Sequence, residues 1–159
     1  MSYAAVGPIW RVVRDRFQKM VQGLTEEELR LAMTTESSSI GHMIRHNAEV
    51  EYMFAEWFFG ATVPEGTEYI ASGQGGAKNE HALTLQELIA FSAAADAFLT
   101  EAMKQLSDDA WDTIVESKIG PSSPREALGR AIYHTGLHAG QIGLIRKHAP
   151  QPSSAQIIH

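Results

Sequence analysis

The chain has 159 residues, 44% apolar and 20% charged, which suits one domain with one core. A net charge of −6, with 13 scattered Lys and Arg residues, disfavours nucleic acid and anionic membrane surfaces as partners. The absence of cysteine excludes disulfides, zinc ribbons and a protein thiol nucleophile, and leaves His, Asp and Glu as the side chains able to hold a metal.

The opening stretch MSYAAVGPIWRVVRDRF lacks the apolar run and cleavage site of a secretory leader, and no later run nears the ~20 residues that span a bilayer. A cytoplasmic location is expected. Ile9, Trp10, Val13, Phe17, Met20 and Val21 recur at helical spacing, which predicts a first helix over about residues 4–22, with Pro8 in its first turns. TEEE at 25–28 has capping-box form and predicts a short helical turn.

A second helix is predicted from near Ser39 to Phe59, between the cap signal ESSS and Gly60. Residues 61–83 are polar and Gly-rich. A connection that long suits a cover over a binding site and is long enough to cross a helical bundle. TLQE opens a third helix, from Thr84 to about Leu106. SDDAW predicts a helical turn, and KIGPSSP a loop. Ser123, Pro124 and Glu126 open a last helix that runs to near Lys147. One domain over residues 1–150 and a flexible tail at 151–159 are expected. Four long helices with little strand signal predict an all-α four-helix bundle.

The last helix carries His134 and His138 four apart, inside the apolar sector marked by Ala131, Ile142 and Ile145. Two imidazoles ~6 Å apart along one helix face can chelate one metal ion. They can equally be hydrogen-bonded polar groups of the core. On the second helix His46 borders the apolar sector. His42 falls with Arg45, Glu49 and Glu56 on the polar side, where a surface position is expected. Asn47 and Glu51 fall inside the apolar sector. A carboxylate there is costly unless paired or beside a metal. Arg130 on the last helix is one candidate partner for Glu51, and a catalytic role near the metal is the other reading. Gly136, Gly140 and Gly143, with Ala139, form a small-residue patch that suggests close approach by a neighbouring helix or subunit. A diiron centre fits poorly, because no Glu stands three residues before a His.

SIGHMIRHNAEVE on the second helix, with YHTGLHAGQIGLIR on the last, resembles the DinB/YfiT-like superfamily. The resemblance covers nearly the whole chain in helix order and length. It implies a four-helix bundle of up-down-down-up topology, often dimeric, with three histidines holding a divalent ion, commonly nickel or zinc. By residue it maps the ligands onto His46, His134 and His138, and matches Gln141 to a supporting or packing position; Asn47, inward on the second helix, is a further candidate to support them from behind. The activities it implies include thiol-dependent S-transfer, so a small-molecule thiol and an electrophile are the expected partners. A metal-dependent hydrolase and a non-catalytic, metal-binding stress-response bundle are the alternatives.

Overall fold

Hydroxyl caps decide where three of the four long helices begin. The first helix, α1 (Tyr3–Gln22), has no side-chain cap. In α2 (Ile40–Phe59), Ser39 accepts the His42 N–H. Reciprocal capping boxes, Thr84 with Glu87 and Ser123 with Glu126, open α3 (Leu85–Gln105) and α4 (Pro124–His148). Gly60 ends α2 at φ +69°, a left-handed conformation that favours glycine, and Ala61 N–H turns back to the Ala55 carbonyl. These elements are those of a computed structural model that describes residues 2–72 and 82–150. The tail at 151–159 and the middle of the long connection lie outside the described residues.

The architecture is a four-helix bundle. Both α1 and α2 lie against α3 and α4, so the order around the bundle is α1, α3, α2, α4. The long connection after α2 therefore joins neighbours. The shorter connections, which hold 3-10 turns at Glu27–Arg30 and Asp108–Asp112, link the diagonal pairs. Among the described residues the strand content is one isolated bridge, Val115 to Ser122. No described helix is long and apolar enough to cross a membrane.

Two apolar cores fill the two ends. One holds Trp10, Phe54, Phe58, Leu99, Met103, Trp111 and Leu128; the other holds Phe17, Val21, Ile40, Ile44, Leu88, Ile142 and Ile145. Each fully buried side chain of this size contributes about 1.5–3 kcal/mol. Between the two ends, every helix interrupts its apolar stripe with polar residues. Arg14 falls between Trp10 and Phe17, and Asn47 and Glu51 fall between Ile44 and Phe54. Ser92 and Asp96 separate Leu88 from Leu99, and His134 and His138 separate Ala131 from Ile142. The result is a polar layer across the middle of the bundle.

Two sequence expectations change here. Ile9 is 58% exposed, so it belongs to the surface, and Arg14 takes the inward place between Trp10 and Phe17. The glycines of the patch meet no neighbouring helix among the described residues, since a Cβ at Gly136, Gly140 or Gly143 would have nothing within 4 Å.

Candidate metal centre

The middle of α4 faces the middle of α2, and this brings His134 and His138 to His46. Their ligating nitrogens all lie within 4.8 Å of one another. His134 Nε2 is 3.0 Å from His46 Nε2 and 3.1 Å from His138 Nε2. The other nitrogen of each ring is already engaged. His134 Nδ1 donates to Asn47 Oδ1 at 3.2 Å, and His138 Nδ1 donates to Gln141 Oε1 at 2.8 Å. His46 Nδ1 lies 2.9 Å from Ser72 Oγ. An amide oxygen can only accept, so His134 and His138 carry their protons on Nδ1 and turn Nε2 lone pairs inward.

Lone pairs that close together repel unless something positive sits between them. An added proton, which would make an imidazolium, is a poor candidate. Burial, then the neighbouring His138 and His46, push the His134 pKa down to about 3. Burial and His46 push His138 down to about 4, against the Gln141 hydrogen bond. His46 is lowered by burial and His42, with Glu49 and the Ala71 backbone opposing. Three neutral imidazoles with converging nitrogens are a donor set suited to a divalent transition ion, whose Zn–N distances are ~2.0–2.1 Å. The residues present therefore fit a metal.

Behind His134 the polar layer continues. Asn47 Nδ2 donates to Glu51 Oε1 at 2.9 Å, which fixes the amide so that its oxygen faces His134. Arg14 Nε lies 3.0 Å from Glu51 Oε1 and 3.6 Å from Asp96 Oδ1, and Arg14 Nη2 donates to the Ser92 carbonyl at 2.8 Å. Arg14 is therefore the partner of Glu51, and Arg130 is exposed at the wall of another cavity with Glu126 and Tyr133. A helical wheel gives direction but not height along the bundle, and Arg130 sits nearer the start of α4 than the histidines do. Desolvation pushes the Glu51 carboxyl up to about 8, outweighing Arg14, whose charge is shared with Asp96. Glu51 is 2% exposed and does not line the cavity beside the histidines.

On the other side of α2 the expectation of a polar surface fails. His42 is 9% exposed, Arg45 5% and Glu49 0%. The chain after α2 returns over them. Glu49 accepts the N–H groups of Ile70 and Ala71, and Arg45 pairs with Glu49 at 2.7 Å while donating to the Glu68 carbonyl. A periodicity argument cannot see a loop fold back, so Arg45, Glu49 and Ser72 were missed. The signal available was two ionisable residues four apart on a helix followed by a long connection.

A cavity of about 370 Å³ opens on the cluster, lined by Ser37, Ser38, His42, Met43, His46, Ala71, His138 and Gln141. A cavity of about 460 Å³ between Glu27, Met33 and Pro150 gathers no convergent donor set, so the chemistry favours the smaller one.

The profile of the DinB superfamily matches residues 9–142. No curated protein matches the chain. Among solved structures, a DinB-like protein from Bacillus cereus is similar at 17% identity and TM-score 0.70, over 91% of this chain and 92% of that one. A conserved protein from Enterococcus faecalis is similar at 17% identity and TM-score 0.68, over 92% and 96%. A mycothiol-dependent maleylpyruvate isomerase is similar at 18% identity and TM-score 0.64, over 90% of this chain and 61% of that one. At such identities the likeness speaks for the fold alone.

Proposed function

The chain belongs to the DinB superfamily, and from that premise we propose a metal-dependent enzyme that transfers a low-molecular-weight thiol to an electrophile. The proposed ligands are His46, His134 and His138, each through Nε2, for one nickel or zinc ion. The observation that carries the reading is the convergence of these nitrogens while every Nδ1 is engaged elsewhere. A bound divalent ion supplies charge that lowers the pKa of a thiol or water beside it.

The chain's own residues do the rest. Asn47 and Gln141 hold two rings with the lone pair inward. Met43 and Ala71 give the cavity an apolar wall, and Ser37 and Ser38 bring polar groups to it. Glu51, buried behind Asn47, orients that amide instead of touching substrate. With no cysteine in the chain, the thiol has to arrive with the substrate. The similar fold of a mycothiol-dependent isomerase supports a thiol partner. A cytoplasmic location suits a reduced thiol pool.

Metal analysis of untagged protein is the first test, with one ion per chain expected. His134→Ala should lose the ion and His42→Ala should keep it. Equal loss in both would mean the ligand set is wrong. The second test is turnover of a chloro-dinitro-aromatic with several small thiols, comparing loaded protein with His138→Ala. Turnover by water alone would favour a hydrolase, and a bound ion without turnover would favour a non-catalytic, stress-response role.

A homodimer is also proposed. Tyr133, Leu137 and Leu144 on α4 and Ile9 and Val12 on α1 are exposed apolar residues, and the glycines of α4 have open space beside them. Light scattering should give twice the 17.5 kDa chain mass. A monomer mass at all concentrations would remove the proposal.

A further inference from the structure

His46 differs from the other two histidines in what holds it. Asn47 and Gln141 sit on helices, whereas Ser72 Oγ comes from a loop. A loop hydroxyl can aim a ring only if the loop is itself fixed. Here it is fixed chiefly by Glu49, with Arg45 beside it. Glu49 Oε1 accepts Ile70 N–H at 2.9 Å and Ala71 N–H at 3.1 Å, and Oε2 lies 3.1 Å from the same Ala71 nitrogen. Arg45 stands beside it, its Nε 2.7 Å from Glu49 Oε1 and its Nη2 donating to the Glu68 carbonyl at 2.7 Å. The guanidinium also stacks 4.2 Å from the Phe91 ring centroid. The Glu49 side chain is fully buried and that of Arg45 is 6% exposed, so these bonds form away from competing water.

We propose that Glu49 is a positioning residue for the metal centre: it anchors residues 68–72 across α2, and that strap aims the His46 ring through Ser72. The inference rests on the reading of His46, His134 and His138 as one metal site. Ring aim matters there because outer hydrogen bonds fix which nitrogen of a ligating histidine is free. Glu49 and His46 lie on the same helix three residues apart, so the carboxylate anchors the strap one turn from the ring it serves. Ala71 belongs both to the anchor and to the cavity wall, so the strap also shapes the substrate side of the site.

The test uses the full chain with two readouts. The first is the ¹⁵N shifts of the His46 ring in metal-free protein, which report the tautomer without any metal. The second is zinc affinity by chelator competition. Wild type should show one dominant His46 tautomer. Glu49→Gln and Ser72→Ala should each give a mixture of tautomers and weaken zinc by about tenfold or more, as outer-sphere losses do. Ser72→Thr, which keeps the hydroxyl, should restore both readouts. The exposed Glu56→Gln should change neither. A strap that merely packs would not distinguish Ala from Thr at position 72. Wild-type tautomer and affinity in both Glu49→Gln and Ser72→Ala would overturn the proposal. Should Glu49→Gln not fold, the Ser72 pair decides. If wild type binds no zinc but the His46 tautomer still responds, the metal reading falls and the strap stands.

Discussion

Behind His134 stand Asn47, Glu51 and Arg14, all on helices; behind His46 stand Ser72, Ala71 and Glu49, reached through a strap of loop. Both supports end in a buried Arg–Glu pair, yet the pairs are built differently. Arg45 and Glu49 are four apart on one helix, and the Glu49 carboxylate collects backbone donors as well. Arg14 and Glu51 meet across helices, and Glu51 Oε2 and Arg14 Nη1 have no hydrogen-bond partner among the described residues. A carboxylate that collects an arginine and backbone donors behaves as a fixture. An undersatisfied one in a dry layer is poised between its two protonation states.

The largest expected effect breaks these pairs one at a time. Arg14→Ala removes a fully buried guanidinium shared by Glu51, Asp96 and the Ser92 carbonyl, and should cost about 3–5 kcal/mol in urea unfolding. Replacing both partners, as Arg14→Met with Glu51→Leu, should recover most of that loss, because the cost lies in buried polar groups left without partners. Arg45→Ala should cost less, about 1–3 kcal/mol, since Glu49 keeps the Ile70 and Ala71 donors. Equal losses for Arg14 and Arg45 would erase the contrast.

A smaller effect appears with pH. Glu51 is raised from its ordinary 4.5 to about 8, so the folded protein holds a proton there that the unfolded chain releases. Its contribution is present below pH 4.5 and is lost as pH rises through 8. The histidines act in the opposite sense. His134 at about 3 and His138 at about 4 stay neutral when folded and take up protons when unfolded. Stability from them is present above pH 6.5 and is lost as pH falls toward 3–4. Metal-free protein should therefore lose stability on both sides of about pH 6.5, read as urea midpoints from pH 4 to 9. Glu51→Gln should flatten the alkaline side and steepen the acid side between pH 4.5 and 6.5, where the Glu51 proton opposes the histidines. An alkaline limb unchanged in that variant would mean Glu51 is already ionised at neutral pH.

The contrast also explains what the sequence could and could not disclose. Ser39, Gly60, Thr84 and Ser123 announce their helix ends by local chemistry, and all four act where local chemistry puts them. The inward direction of His46, His134 and His138 follows from periodicity along single helices. The partner of Glu51 does not, because it depends on how far one helix slides along another, and Arg130 and Arg14 satisfy the same angular rule. The burial of Arg45 and Glu49 is further out of reach, since it depends on residues about twenty positions later folding back onto α2. Arg14 was within reach. It stands four after Trp10 and three before Phe17, the inward position of α1, and an arginine there calls for a buried carboxylate.

The smallest expected effect compares the two amides that hold His134 and His138. Asn47 is fully buried and bonded on both sides, to His134 and to Glu51. Gln141 is half-buried, lies at the cavity wall, and reaches His138 from three residues along the same helix. When Gln141→Ala removes the oxygen, water from the cavity can accept from His138 Nδ1, at an ordering cost of at most about 2 kcal/mol. No such replacement serves Asn47→Ala, which would leave His134 Nδ1 and Glu51 without their shared partner in a dry layer. Zinc affinity should therefore fall only about threefold for Gln141→Ala, and into the 10–100-fold range for Asn47→Ala. Chelator competition on the two variants reads the difference. The reverse order would mean that the half-buried amide at the cavity wall governs the site, and that the helix-built support behind His134 serves the fold alone.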